Sequence, residues 1–186
     1  MKNQTLEHVF EYDPSVAEFA VSKQAFLERH QDAPYALIAT SALVVDTPGI
    51  FPPRILLLQR AASDSHPNKW EPPGGAVDDD DVTILQAVAR ELIEETGLRA
   101  TWIGGPIGEY QFFKRSNGDA ICRFSFAVHV DAGKEGGLVV QPDPNEHQSF
   151  VWATEDEVRA GKAGDVELNF VPGEVKQTVL LAFKHT

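Results

Sequence analysis

Residues 72–98, PPGGAVDDDDVTILQAVARELIEETGL, restrict the fold more than any other stretch. From Thr83 to Thr96 the apolar residues Leu85, Val88, Ala89, Leu92 and Ile93 recur at steps of three and four, the period of a helix that packs one face on a sheet. Gly97 stands in the usual closing position, and the Pro-Pro-Gly-Gly run breaks any regular element ahead of the helix. At about 100° per residue, Glu91 and Glu95 lie about 40° apart, with Glu94 about 60° to the other side of Glu91. All three carboxylates crowd one stripe that faces a groove or solvent. Like charges at this spacing destabilise a helix by roughly 0.2–0.5 kcal/mol per pair, and acids near its C-terminal end oppose the macrodipole. Folding alone therefore gives no reason for the arrangement. A hard divalent cation does, because Mg²⁺ takes oxygen ligands and shares them with substrate phosphates. Arg90 can orient one carboxylate through a bidentate pair. The competing reading is a wet face built from good helix formers. Gly74 and Gly75 weigh against it, since glycine lets backbone carbonyls approach an ion closely.

The flanking chain supplies strands for that helix to cover. Asp13 and Pro14 open an N-terminal segment in which Val16, Phe19, Ala20, Lys23, Phe26 and Leu27 share helical spacing with only Lys23 polar, which predicts one amphipathic helix. YALIATSALVVD and RILLLQRA, separated by TPGIFPP, predict a hairpin with a long loop. IGEYQFFKR and ICRFSFAVHV around SNGD predict a second. GKEGG and PDPNEHQ are expected loops around a short apolar LVV, followed by a strand at FVWA, a helix capped by Thr154 and a last helix around GEVKQTVLLAFKH.

At 186 residues, with apolar and charged fractions of 42% and 24%, one globular domain is expected rather than a disordered chain. The net charge of -12 argues against electrostatic binding to duplex nucleic acid, which needs basic residues to neutralise phosphates. A phosphorylated small molecule remains compatible, provided bound cations offset the repulsion. A single cysteine, Cys122, excludes an intrachain disulfide and a thiolate zinc site. With no apolar run near the roughly 20 residues of a bilayer span, no membrane association and a cytoplasmic location are expected.

These residues carry a family resemblance. GGAVDDDDVTILQAVARELIEETGL resembles the box of the Nudix (MutT-like) hydrolases: Gly, five residues, Glu, seven residues, then Arg-Glu-apolar-any-Glu-Glu-any-Gly-apolar. Gly75, Arg90, Glu91, Leu92, Glu94, Glu95, Gly97 and Leu98 match. Two departures are visible: Asp81 stands in place of the first Glu, and eight residues instead of seven separate it from Arg90. They put the role of Asp81 in doubt and leave the glutamates in phase. ILLLQRAASDSHPNKWEPPGG is similar to the family's strand ending in Arg, then a loop and a Trp before the turn. The resemblance implies an α/β (α+β) fold, the Nudix α/β/α sandwich with a mixed β-sheet between helices, over residues 35–186. Residues 1–34 are expected as an extra N-terminal helical extension packed on it.

The resemblance further implies hydrolysis of a pyrophosphate bond in a nucleoside diphosphate linked to another moiety, with Mg²⁺ or Mn²⁺ as cofactor. Gly74, Gly75, Glu91, Glu94 and Glu95 are the implied metal ligands, and Glu94, Arg90 and Glu146 the implied catalytic residues. Glu109 rivals Glu146 as base, and an ordinary loop or strand acid is the competing reading for each. Arg60, Tyr110 and Phe112 are candidate substrate contacts; structural pairing for Arg60, and a core face for the aromatics, are the alternatives. His147 is expected at the surface, with a proton shuttle as the other reading. Asp78 to Asp81 are expected as a solvated turn, Trp70 beneath the Gly-Gly turn and Cys122 as core filler. A homodimer using the N-terminal helix is a further expectation. The other function classes are a catalytically silent Nudix-fold module, motivated by the altered spacing, and a prenyl diphosphate enzyme, which would require a reactive cysteine.

Overall fold

The structure, a computed structural model, describes residues 9–114, 118–131 and 137–185. Half of the SNGD turn and all but the last residue of the GKEGG loop lie outside these residues.

The N-terminal segment enters as a strand. β1 (Glu11–Tyr12) pairs in parallel with β5 (Ala100–Gly104). The amphipathic pattern that follows breaks in two: a 3-10 helix over Pro14–Phe19, capped by Asp13, then α1 (Lys23–Arg29), capped by Ser22. Each cap accepts a backbone N–H, which makes Ser22 a helix start rather than a mid-helix residue. Val16, Phe19 and Phe26 are nevertheless buried in the same core as the central sheet. The apolar face of this segment is thus occupied within the chain itself.

β2 (Leu37–Asp46) and β3 (Arg54–Arg60) form the first hairpin, but they pair only at Val45↔Ile55 and Asp46↔Arg54. Arg54 seals that end by donating to Asp46 at 2.8 and 3.0 Å. Beyond it the strands part. β2 continues in parallel with β7 (Ala120–Val130) from Leu37 to Val44, while β3 pairs with the short β4 (Trp70–Glu71) and, on its other edge, with β8 (His147–Thr154). The Pro-Gly-Gly segment fills the wedge. Thr40 N–H donates to the Gly75 carbonyl at 2.8 Å, Ala42 N–H to Pro73 at 2.8 Å, and Val77 N–H to Ile38 at 2.9 Å. On the far edge of β7 lie β5 and β6 (Gln111–Lys114), the latter completing the second hairpin.

Side-chain alternation sorts the sheet residues into two layers. Ile38, Ala42, Leu56, Leu58, Phe124 and Phe126 pack with α1 and with α2 (Ile84–Thr96). Leu43, Ile55, Leu57 and Ala153 pack with α3 (Glu155–Ala160) and α4 (Val175–Ala182). The result is a mixed sheet between helices, as expected. Trp70 is buried in the second layer. Its backbone N–H donates to the Asn169 carbonyl, and its own carbonyl accepts from Val171 N–H. β9 (Lys162–Ala163) and β10 (Val166–Glu167) form a small separate ribbon. The expected LVV piece forms no strand. Among the described residues no helix is long and apolar enough to cross a membrane.

Candidate active site

α2 forms where its spacing predicts. Thr83 caps it by accepting from Gln86 N–H at 3.0 Å, and Gly97 ends it at φ 73°. Its three acids do not share one environment. Glu95 is buried, Glu91 is partly covered and Glu94 is exposed. The stripe therefore dips into the protein at the Gly-Gly turn instead of facing water throughout. Gly74 donates its N–H to Glu95 Oε2 at 2.6 Å. Gly74 sits at φ 149° with the Thr40 carbonyl where a Cβ would go, so the wedge against β2 admits no side chain there. A Cβ on Gly75 would lie 2.6 to 2.8 Å from the Glu91 carboxylate.

Arg90 ties the turn to the helix. Its Nε and Nη2 donate to the two oxygens of Asp81, both at 2.9 Å, and its Nη1 to Glu91 and Glu94, both at 2.9 Å. Nη2 also donates to the Ala76 carbonyl at 3.0 Å. This crowd of acceptors holds the guanidinium in its charged form. Asp81 is correspondingly buried, unlike the solvated turn expected for the aspartate run, whereas Asp79 is exposed and pairs with Lys23. Burial pushes the Glu91 carboxyl up to about 7; Glu94 and Glu146 add repulsion and Arg90 opposes it. Burial likewise raises Glu95, against the Gly74 N–H and with Glu91, Glu71 and Glu146.

These side chains open onto a cleft of about 1330 Å³ that also reaches Arg60, Glu109, Tyr110, Phe112 and Glu146. The NUDIX domain family matches residues 38–172.

The chain belongs to the Nudix family.

Among its relatives, CTP pyrophosphohydrolase from Escherichia coli (strain K12) is 31% identical over 122 residues, 65% of this chain and 78% of that protein. The m7GpppN-mRNA hydrolase NUDT17 from Danio rerio is 29% identical over 143 residues, 68% of this chain. The chain spans less than half of the NUDT17 relatives, 46% of the Danio rerio protein and 42% of the Homo sapiens one. In fold it resembles the MutT protein from Methanosarcina mazei Go1, with TM-score 0.59 and 22% identity, covering 83% of this chain and 96% of that one. It also resembles the NUDIX domain of Shewanella oneidensis NrtR, crystallised with ADP ribose, with TM-score 0.61 and 17% identity over 87% and 97%.

The Nudix cleft brings together most of the residues expected from sequence. Glu146 reaches it from the turn before β8: its N–H donates to the Asp143 carbonyl at 3.1 Å, and its carbonyl accepts from Ala61 N–H at 2.8 Å. Glu109 lines the cleft as well, so both rival loop acids are present. Tyr110 and Phe112 lie at its wall, exposed, and against Phe124 and Tyr35 respectively. Arg60 lines the cleft, but Asp64 and Glu71 already occupy its guanidinium, and together they outweigh burial to hold it charged. Gly75's carbonyl serves the β2 ladder.

The sequence did not reveal Glu71 or the burial of His147. Glu71 is buried between Arg60, which lines the cleft, and Arg123, the latter 3.5 Å away. Its signal in the sequence was an acid between Trp70 and the two prolines of the turn. His147 is buried rather than at the surface; among the described residues its Nδ1 has no hydrogen-bond partner, and it lies 3.9 Å from Glu95 Oε1. Burial holds its imidazole below the ordinary value, Arg60 adding and Glu71 opposing. Glu95, Glu146 and His147 offer ligand atoms all within 4.8 Å of one another. Such a donor set suits a divalent cation. Cys122 is fully buried, its thiol pushed up to about 12 by burial, which removes the support for a cysteine-dependent prenyl diphosphate enzyme.

Proposed function

We propose that this chain is a cytoplasmic Mg²⁺- or Mn²⁺-dependent hydrolase that cleaves a pyrophosphate bond in a nucleoside diphosphate linked to another moiety. One observation carries the reading: the acids of the Nudix box, in place on α2, converge with loop acid Glu146 at a cleft whose wall holds exposed aromatic rings. The E. coli relative named for CTP and the NUDT17 relatives named for m7GpppN-mRNA place nucleotide pyrophosphates first among the substrates to try.

Each residue then has a task set by its contacts. Glu91, Glu94 and Glu95, with a carbonyl from the Gly74-Gly75 turn, would hold the cation. When bound, it neutralises the pyrophosphate and acidifies a water. Arg90 positions Glu91 and Glu94, and Asp81 positions Arg90. The Gly74 N–H fixes Glu95. Glu146, in the cleft and exposed, takes the proton of the attacking water, with Glu94 and Glu109, which also line the cleft, as the rival bases. Tyr110 and Phe112 stack on the nucleobase. Arg60, saturated by Asp64 and Glu71, acts by positioning the β3 end of the cleft. The extra residue before α2, which motivates a silent module, leaves Arg90 bound and the three glutamates in phase.

The test incubates the purified chain with CTP, an m7GpppN cap dinucleotide, ADP-ribose and other nucleoside diphosphate derivatives. Mg²⁺, Mn²⁺ or chelator is added, and products are followed by mass. Nucleotide products that vanish with chelator and with Glu95→Gln are expected. Tight nucleotide binding without any product would sink the hydrolase reading.

A further inference from the structure

We propose that His147 Nδ1, Glu95 and Glu146 form a mixed nitrogen and oxygen cation site that takes first-row transition ions in preference to Mg²⁺. The reading shares Glu95 and Glu146 with the proposed hydrolase and rests on it to that extent.

Three independent features converge on this position. His147 is 4% exposed, yet among the described residues its Nδ1 has no hydrogen-bond partner, an exception to the rule that buried polar atoms are satisfied. The nearby Glu95 Oε1, at 3.9 Å, is too far for a hydrogen bond. Glu95 divides its oxygens: Oε2 accepts from Gly74 N–H, which leaves Oε1 on the His147 side. Finally, the turn that carries Glu146 and His147 is locked. Both N–H groups donate to the Asp143 carbonyl, at 3.1 and 2.8 Å, and the register shift in β3 sets His147 opposite Arg60. The three donors are thus presented by rigid backbone, with ligand atoms within 4.8 Å of one another. Imidazole nitrogen suits transition ions, whereas Mg²⁺ selects oxygen and keeps its waters. An ion bridging Nδ1 and the two carboxylates satisfies the orphaned nitrogen and neutralises buried Glu95 at once.

Pulsed EPR on the full chain loaded with substoichiometric Mn²⁺, without nucleotide, tests this directly. The wild type is expected to show an imidazole nitrogen coupling that changes on ¹⁵N-histidine labelling, a result that does not depend on any variant folding. The coupling should persist in His66→Asn, the other cleft histidine, and disappear in His147→Asn. Glu146→Gln, altered at an exposed side chain, should weaken Mn²⁺ binding at least about 10-fold. Bound Mn²⁺ without nitrogen coupling, or coupling that survives His147→Asn, overturns the site while leaving the hydrolase standing. Coupling present with no turnover of any nucleotide overturns the hydrolase alone.

Discussion

Asp81 grips Arg90 with both carboxylate oxygens, at 2.9 Å each, although it is one carbon shorter than the family's glutamate and one residue further from the arginine. The extra residue between Asp81 and Arg90 does not keep the shorter side chain from reaching the guanidinium. Asp81→Ala leaves Arg90 with Glu91, Glu94, the Ala76 carbonyl and, at 3.7 Å, Asp78. We expect a loss of about 2 kcal/mol in urea unfolding, the scale of charge-assisted hydrogen bonds, together with lower turnover. Asp79→Ala removes an exposed carboxylate paired only with Lys23 and should cost less than about 1 kcal/mol. Equal losses in the two variants would contradict a positioning role for Asp81.

Gly74 and Gly75 fail differently when given a side chain. Gly74→Ala meets the Thr40 carbonyl at a φ that L residues rarely adopt, so a cost of roughly 3 kcal/mol and reduced folding yield are expected. Gly75→Ala meets only the end of the Glu91 side chain and should fold, with a melting temperature near wild type. Its turnover should nevertheless fall by about 10-fold or more, because the displaced carboxylate is a cation ligand. Calorimetry and metal titration on the two variants separate these outcomes.

Chelator should expose a pH weakness. The Glu91 carboxyl is raised from 4.5 to about 7 in the fold, so its favourable contribution is present below about 4.5 and lost as pH rises through about 7. Glu95 is raised in the same sense. Asp64 runs the other way: Arg60 and its turn N–H lower it from 3.8 to about 2, and its contribution is lost as pH falls toward that value. Melting curves of the metal-free chain should decline from pH 6.5 to 8, above the range in which His147, its imidazole lowered by burial, acts in the opposite sense. Mg²⁺ or Mn²⁺ should flatten the decline, and Glu91→Gln should reduce it. A metal-free melting temperature that rises across that window would refute the assignment.

We propose the division into residues 1–34 and 35–186 as a boundary in sequence rather than in stability. Phe19 is fully buried, 4.9 Å by ring centroids from Phe124 and 5.1 Å from Phe126. Phe19→Ala should cost about 3–5 kcal/mol. Lys23 donates to the Val77 carbonyl at 2.8 Å and latches α1 to the turn ahead of α2, so Lys23→Ala should cost about 1 kcal/mol. A chain begun at residue 35 should not fold cooperatively. A sharp thermal transition in that truncation would show the extension to be dispensable.

What the sequence determined by itself is local. Helix α2, its Thr83 cap, its Gly97 stop and the spacing of Glu91, Glu94 and Glu95 follow from helical period and capping chemistry, which depend on neighbours within a few residues. The hairpins and the strand before Thr154 were legible on the same grounds, and the fixed positions of the box pointed to the family. The single N-terminal helix was misread because Ser22 competes as a cap, and only packing around Phe19 and Phe26 decides between one helix and two. The tertiary structure alone decided which acids are buried, since burial of Glu95 depends on the Pro-Gly-Gly wedge between β2 and β3. It also decided the partners of Asp81 and Glu71, and it turned His147 inward beside Glu95. Those pairs lie 9 to 52 residues apart, and a register shift between β3 and β8 helps to set the last of them. Periodicity carries no information about which distant side chains meet.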